Sequence, residues 1–156
     1  MESDDELDLI ITDDINRIDK YGYTILSKIH YVRENIYIKK IRKILDLGAK
    51  INIISGGRSG NTALMLFAHR DSTIITKLLI EYGPEINIKN DTGNSAITLA
   101  SIHGRNNQIN LLTKFGADNI WKAICWAKFN NKFKSLKILV VYSFKRIIGA
   151  YYLDEF

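Results

Sequence analysis

Gly60-Asn61-Thr62-Ala63-Leu64-Met65-Leu66-Phe67-Ala68 and Gly93-Asn94-Ser95-Ala96-Ile97-Thr98-Leu99-Ala100-Ser101 align without a gap, their first residues 33 positions apart. Each leading glycine is followed after 23 residues by another, in Leu78-Leu79-Ile80-Glu81-Tyr82-Gly83 and Leu111-Leu112-Thr113-Lys114-Phe115-Gly116. A looser copy precedes them, Asp19-Lys20-Tyr21-Gly22-Tyr23-Thr24-Ile25-Leu26, closed by Ile44-Leu45-Asp46-Leu47-Gly48-Ala49. Its glycines are 26 apart and the step to the next copy is 38, so the extra residues divide between its helical pair and the loop from Gly48 to Gly60. Leu64, Phe67 and Ala68, and then Ile74, Ile75, Leu78 and Leu79, recur at three- and four-residue spacing, the stripe of a helix with one buried face. One such pair cannot cover its own apolar side, so neighbours must stack into a continuous core. Thr24, Thr62 and Ser95 stand where a hydroxyl can accept from the first backbone N–H groups of a helix. Gly48, Gly83 and Gly116 fit the left-handed residue that ends one.

A 33-residue period with these marks resembles the ankyrin repeat, a β-turn followed by two antiparallel helices. The resemblance spans roughly residues 19–120 and continues in degraded form to 142. Asn52 and Asn87 match the family's loop asparagine and Gly104 its inter-helix glycine, whereas Asp71 replaces that glycine in the preceding unit and Pro84 replaces the alanine after Gly83. The family's Thr-Pro-Leu-His stands here as Thr24-Ile25-Leu26-Ser27, Thr62-Ala63-Leu64-Met65 and Ser95-Ala96-Ile97-Thr98. The expected fold is all-α, a solenoid of about three helix-turn-helix repeats over 19–55, 56–89 and 90–119 with divergent caps. Residues 1–18 form the first cap, acidic and either amphipathic or partly disordered, and 120–156 a degenerate capping repeat with an apolar, basic tail. Within that last unit Trp121 to Ala127 reads as a first helix and Phe133 to Tyr142 as a second, truncated and without a turn glycine. The stretch from Leu136 to Phe144 is more apolar than a terminal cap needs; folding back, a partner or a second copy of the chain would cover it. Lys137, Lys145 and Arg146 beside it also permit contact with a membrane surface.

The net charge of +5 conceals a division: residues 1–19 carry −7 and the remainder +12. A basic body offers binding to nucleic acid or an anionic surface. Lysines outnumber arginines 15 to 7 and lie scattered, which favours a solvated surface on which the acidic end folds back. The single Cys125 excludes an intramolecular disulfide and suits a reducing compartment. The opening MESDDELDLI has no basic n-region, and no run of 18 uncharged apolar residues occurs. The expected setting is therefore intracellular, in cytoplasm or nucleus. With 26 Ile, 15 Lys and 13 Asn the composition has the skew of A+T-rich coding. Together with the short, divergent repeats it resembles ankyrin proteins of large DNA viruses such as mimiviruses or poxviruses, or of intracellular bacteria.

No catalytic constellation emerges from the side chains that could carry chemistry. His30, His69 and His103 sit in three different units; His69 and His103, 34 residues apart, fall near inter-helix turns, but no HxxxH or Cys–His spacing marks them as metal ligands. Cys125, between Ile124 and Trp126, reads as a small buried hydrophobe. Ser55 to Gly60 lacks GxxxxGK[ST] and reads as an elongated loop, and Asp4-Asp5-Glu6 lacks calcium-loop spacing. Trp121 and Trp126 read as filling the final unit. No cofactor is called for.

The resemblance implies a concave groove for a protein partner, formed by loop tips and inner helix faces. Carried onto this sequence, the tips are Ser55 to Ser59, Lys89 to Thr92 and Asn119 to Trp121, and the inner-face and turn positions are His69, Arg70, Asp71, His103 and Arg105. Arg58, Lys89, Asp91 and Trp121 are thus candidate contacts at the tips, and Arg58 the foremost anchor, able to grip a carboxylate bidentately. The expectation is a non-enzymatic protein–protein interaction module, monomeric unless the apolar tail associates. Nucleic-acid or anionic-surface binding through the basic body is the alternative.

Overall fold

The computed structural model describes residues 14–29, 34–55 and 59–153. Eight helices and no strand occur among them: α1 (Ile25–Lys28), α2 (Glu34–Asp46), α3 (Ala63–Arg70), α4 (Thr73–Glu81), α5 (Ala96–Ile102), α6 (Asn106–Lys114), α7 (Ile120–Phe129) and α8 (Phe133–Leu153). The inner row packs α1 on α3, α3 on α5 and α5 on α7; the outer row packs α2 on α4, α4 on α6 and α6 on α8. One continuous core runs through both rows, from Ile25, Leu26 and Ile41 through Leu64, Phe67, Leu79, Ile97 and Leu112 to Ala123, Ala127 and Leu139. That is the stacked all-α repeat fold the period implied, since each pair's apolar face is covered by its neighbour.

Local chemistry repeats from unit to unit. Thr24 caps α1 through a reciprocal pair with Ser27, and the Thr62 hydroxyl accepts from the Met65 N–H at 3.4 Å. Ser95 occupies the same extended position before α5, but its hydroxyl makes no cap bond and is buried without a partner, so its expected capping role is not realised. Between the helices of the last three pairs the chain turns through one left-handed residue: Asp71 (φ 66°), Gly104 (φ 68°) and Asn131 (φ 56°). After each of them the next N–H returns to the first helix, Ser72 to the Phe67 carbonyl, Arg105 to Ala100 and Lys132 to Ala127, at 3.2, 2.8 and 2.8 Å. Three turns of one geometry align Ala96, Thr98 and Ser101 of α5 with Ala123, Cys125 and Lys128 of α7.

A second series joins the units. The Asn52 carboxamide accepts from the Glu85 N–H and donates to that residue's carboxylate, and Asn87 accepts from the Asp118 N–H while donating to the Gly116 carbonyl. Asn16 does the same one unit earlier, accepting from the Lys50 N–H at 2.7 Å. Asp19 and Asn90 then build matching tip turns, each accepting from the N–H groups two and four residues on. The repeat pattern therefore reaches back to Asn16. In the Asp19 turn, partial burial pushes the carboxyl up, but the Tyr23 and Tyr21 N–H groups and Lys28, 3.6 Å away, outweigh it and hold the group below the usual carboxylate range. The acidic segment before residue 14 lies outside the described residues.

The fourth unit departs from expectation. Its second helix is not truncated: α8 has 21 residues where α4 and α6 have 9 each. Leu139 is fully buried and Leu136, Ile138 and Tyr142 pack against the core, so part of the apolar stretch is the outer helix itself. From Phe144 to Gly149 the residues are exposed.

Candidate functional site

The candidate residues gather at the two ends of the inner helices. Between them α3 offers little, because no side chain from Ala63 to Ala68 is more than 7% exposed. Eight residues of helix separate the two ends, about 12 Å at 1.5 Å per residue. Partner-facing chemistry on the second unit is thereby pushed to the tips before the helix and the turns after it.

At the tip end, Lys89, Asp91 and Trp121 are exposed. The tips are also tied to one another. The Asp91 N–H donates to the Ser59 carbonyl at 3.2 Å, and the Asn90 amide donates to the Asn61 carbonyl oxygen of its side chain at 2.8 Å. The Asp91 carboxylate lies against Gly60, where a Cβ would stand 2.6 Å from it and displace it, and the backbone φ of 60° favours glycine there. On the far side, the Lys122 ammonium donates to the Thr92 and Gly93 carbonyls at 3.0 and 2.8 Å, replacing the tip turn the last unit lacks. Arg58 lies outside the described residues, as does His30.

At the turn end, the rings of His69 and His103 meet edge to face with centroids 4.1 Å apart. The Arg105 Nε donates to the His69 carbonyl at 3.0 Å, fixing the guanidinium across the two units. The Lys132 stem lies over Gly104, and Arg70 is exposed. Burial, then the cations of Arg105 and Lys132, hold the His103 imidazole below its ordinary pKa. Asp71 supplies the local acid, with Oδ1 buried and unpartnered. His69, Arg70, Asp71, His103 and Arg105 thus form one row, separate from the tips. It is a predominantly cationic strip suited to carboxylates. Among the described residues no three His, Cys, Asp or Glu side chains converge as a metal-binding group.

Two readings of the last unit need correction. Cys125 is exposed, and Trp121, expected to fill the final unit, is 77% exposed. Ala123 and Ala127 take the buried side of α7, so residues two positions from them point away from the core. The small Ala pair at the spacing of Ala96 and Ala100 was the signal that could have placed them. Trp126, half-buried, packs edge to face on Phe129 with centroids 5.8 Å apart.

A comparison with curated proteins gives no match. The family model described as ankyrin repeats (3 copies) matches residues 29–123, more than half of the chain. With its stacked pairs, tip turns and left-handed inter-helix residues, the chain belongs to the ankyrin-repeat family.

Proposed function

We propose that this protein recognises a partner protein through the tip row and the turn row, and has no chemistry of its own. Ankyrin repeats are generally protein–protein interaction modules, and the family is typically a non-enzymatic scaffold. The observation that carries the reading is the cross-bracing of the tips by Asp91, Asn90 and Lys122. Recognition groups held in place before the partner arrives lose little entropy on binding. The turn row, with Arg70, Arg105 and Lys132 around the histidine pair, fits an acidic segment of that partner. The A+T-type composition supports a pathogen effector acting inside a host cell, with a host protein as the partner.

Affinity capture from a cell extract tests this, with wild type beside Arg58→Ala/Lys89→Ala and Arg70→Ala/Lys132→Ala. Each variant is expected to lose the same captured protein by about tenfold or more. Capture unchanged in both overturns the reading. The basic body supports nucleic-acid binding as a second reading; it requires affinity that falls steeply from low to physiological salt in a filter-binding titration.

A further inference from the structure

We infer that the end of the stack formed by α7 and α8 docks on an anionic lipid bilayer. The inference rests on the side of α7 and α8 turned away from the third unit, which meets the tip row at Trp121. Asn94, just before α5, and Thr98 and Ser101 on it are 8%, 0% and 0% exposed, sealed beneath the next inner helix. Their equivalents on α7 are Trp121, Cys125 and Lys128, and no described element covers them. Trp121, Cys125 and Phe129 follow at four-residue spacing, opposite Ala123 and Ala127. Trp121 and Phe129 are 77% and 78% exposed, and Phe133 at the start of α8 is 72% exposed. By the same register α6 ends opposite Val141, so the rest of α8 overhangs the stack, with Phe144, Ile147 and Ile148 exposed along it.

Charge says what fits this face. Residues 119–153 contain Lys122, Lys128, Lys132, Lys134, Lys137, Lys145 and Arg146 and no acidic residue. Lys122 is taken up by the Thr92 and Gly93 carbonyls and the Lys132 stem lies on Gly104, while the other five are exposed beside the aromatics. A second copy docked two-fold on this face would set those cations against their own kind, and residues 119–153 hold no acid to pair them. Four of the five are lysines, which protein interfaces exclude and anionic headgroups attract. Tryptophan and phenylalanine rings enter the headgroup boundary while lysine stems reach back to phosphate. No helix of the described chain is long and apolar enough to cross a membrane, so the contact is with the surface.

The test uses the full chain carrying Trp126→Phe, which leaves Trp121 as its one indole. It is mixed with vesicles of phosphatidylcholine alone or with about 30% phosphatidylserine, an anionic surface of physiological order. Co-sedimentation with the phosphatidylserine vesicles only, with a blue shift of Trp121 emission, is expected. Lys134→Glu/Lys137→Glu/Lys145→Glu and, separately, Phe129→Ser/Phe133→Ser should each weaken partitioning by about tenfold or more. All these side chains are exposed, so circular dichroism should match wild type. Equal partitioning onto both vesicle types, or none onto either, overturns the proposal. So does an association between copies that Phe129→Ser/Phe133→Ser abolishes while vesicle binding is absent.

Discussion

Thr98 and Ser101 on α5 hold the same places in the repeat as Cys125 and Lys128 on α7, yet the first pair is sealed and the second stands in solvent. In the third unit that face takes small hydroxyl side chains, each returned to its own helix: Thr98 donates to the Ser95 carbonyl and Ser101 to Ile97, both at 2.7 Å. Neither of these two hydroxyls is then left to pair across the tight contact between inner helices. In the fourth unit bulk and charge appear instead. A repeat face that stands in water ordinarily carries polar side chains, so the aromatics on this one are not explained by solubility. The comparison separates side chains chosen for stacking from those chosen for contact with something else.

Exchanging the two faces gives the largest expected effect. Ser101→Lys places an unpaired ammonium where α7 packs and should cost about 3–5 kcal/mol. Lys128→Ser, the reciprocal change, should stay within about 0.5 kcal/mol. Urea unfolding of both variants checks this, and similar losses in the two would mean that the fourth unit's face is covered after all.

The inter-helix turns offer the next contrast. Gly104 sits at φ 68° with the Lys132 stem close by, so that an added Cβ would lie 3.0 Å from Cδ. Gly104→Ala should cost about 1–2 kcal/mol in left-handed strain and displaced lysine. Asp71 meets the same backbone demand with a side chain and leaves an oxygen buried and unpartnered. Asp71→Gly should therefore raise stability by about 0.5–1 kcal/mol. Thermal unfolding reads both signs.

How far the sequence could be read follows from these same residues. The period of 33, the Leu pairs and the small residues gave the stacked helices, because burial of one face leaves its spacing in the chain. Asn52, Asn87 and Gly104 were legible as single-residue marks of turns that no other side chain builds so well. Asn16 escaped because its partner, the Lys50 N–H, lies one unit on, and no local pattern announces a bond 34 residues away. Arg105 was placed at the turn, but its bond to the His69 carbonyl depends on the packing of two units. Cys125 and Trp121 show that apolar character alone does not decide burial, because the side of α7 that faces the stack is settled by Ala123 and Ala127.

Gln108 and Ser135 extend the comparison to the outer row, as equivalent residues of α6 and α8. Both are buried; the Ser135 hydroxyl donates to the Asn106 carboxamide oxygen at 2.8 Å, whereas neither end of the Gln108 carboxamide has a hydrogen-bond partner in the protein. Gln108→Leu should accordingly stabilise by about 1 kcal/mol, and Ser135→Ala should destabilise by a similar amount. Equal destabilisation by the two would show that Gln108 is paired through water.

The smallest effect concerns protons. His103 is held below its ordinary pKa by burial and by the cations of Arg105 and Lys132. The unfolded chain therefore binds this proton more readily than the folded one. The stabilising contribution is present above the unfolded value of about 6.5 and is lost as pH falls through the lowered folded value. His103→Gln removes the titration, so its melting temperature should change less than wild type's between pH 7.5 and 5. Lys132→Ala deletes one of the cations and should shrink the wild-type dependence without abolishing it, since the burial remains. The fourth unit has Asn130 at the place of His103 and contributes no such proton. If the pH dependence persists undiminished in His103→Gln, it arises elsewhere in the stack, and the turn row loses its claim to be the part of the molecule that senses a neighbouring charge.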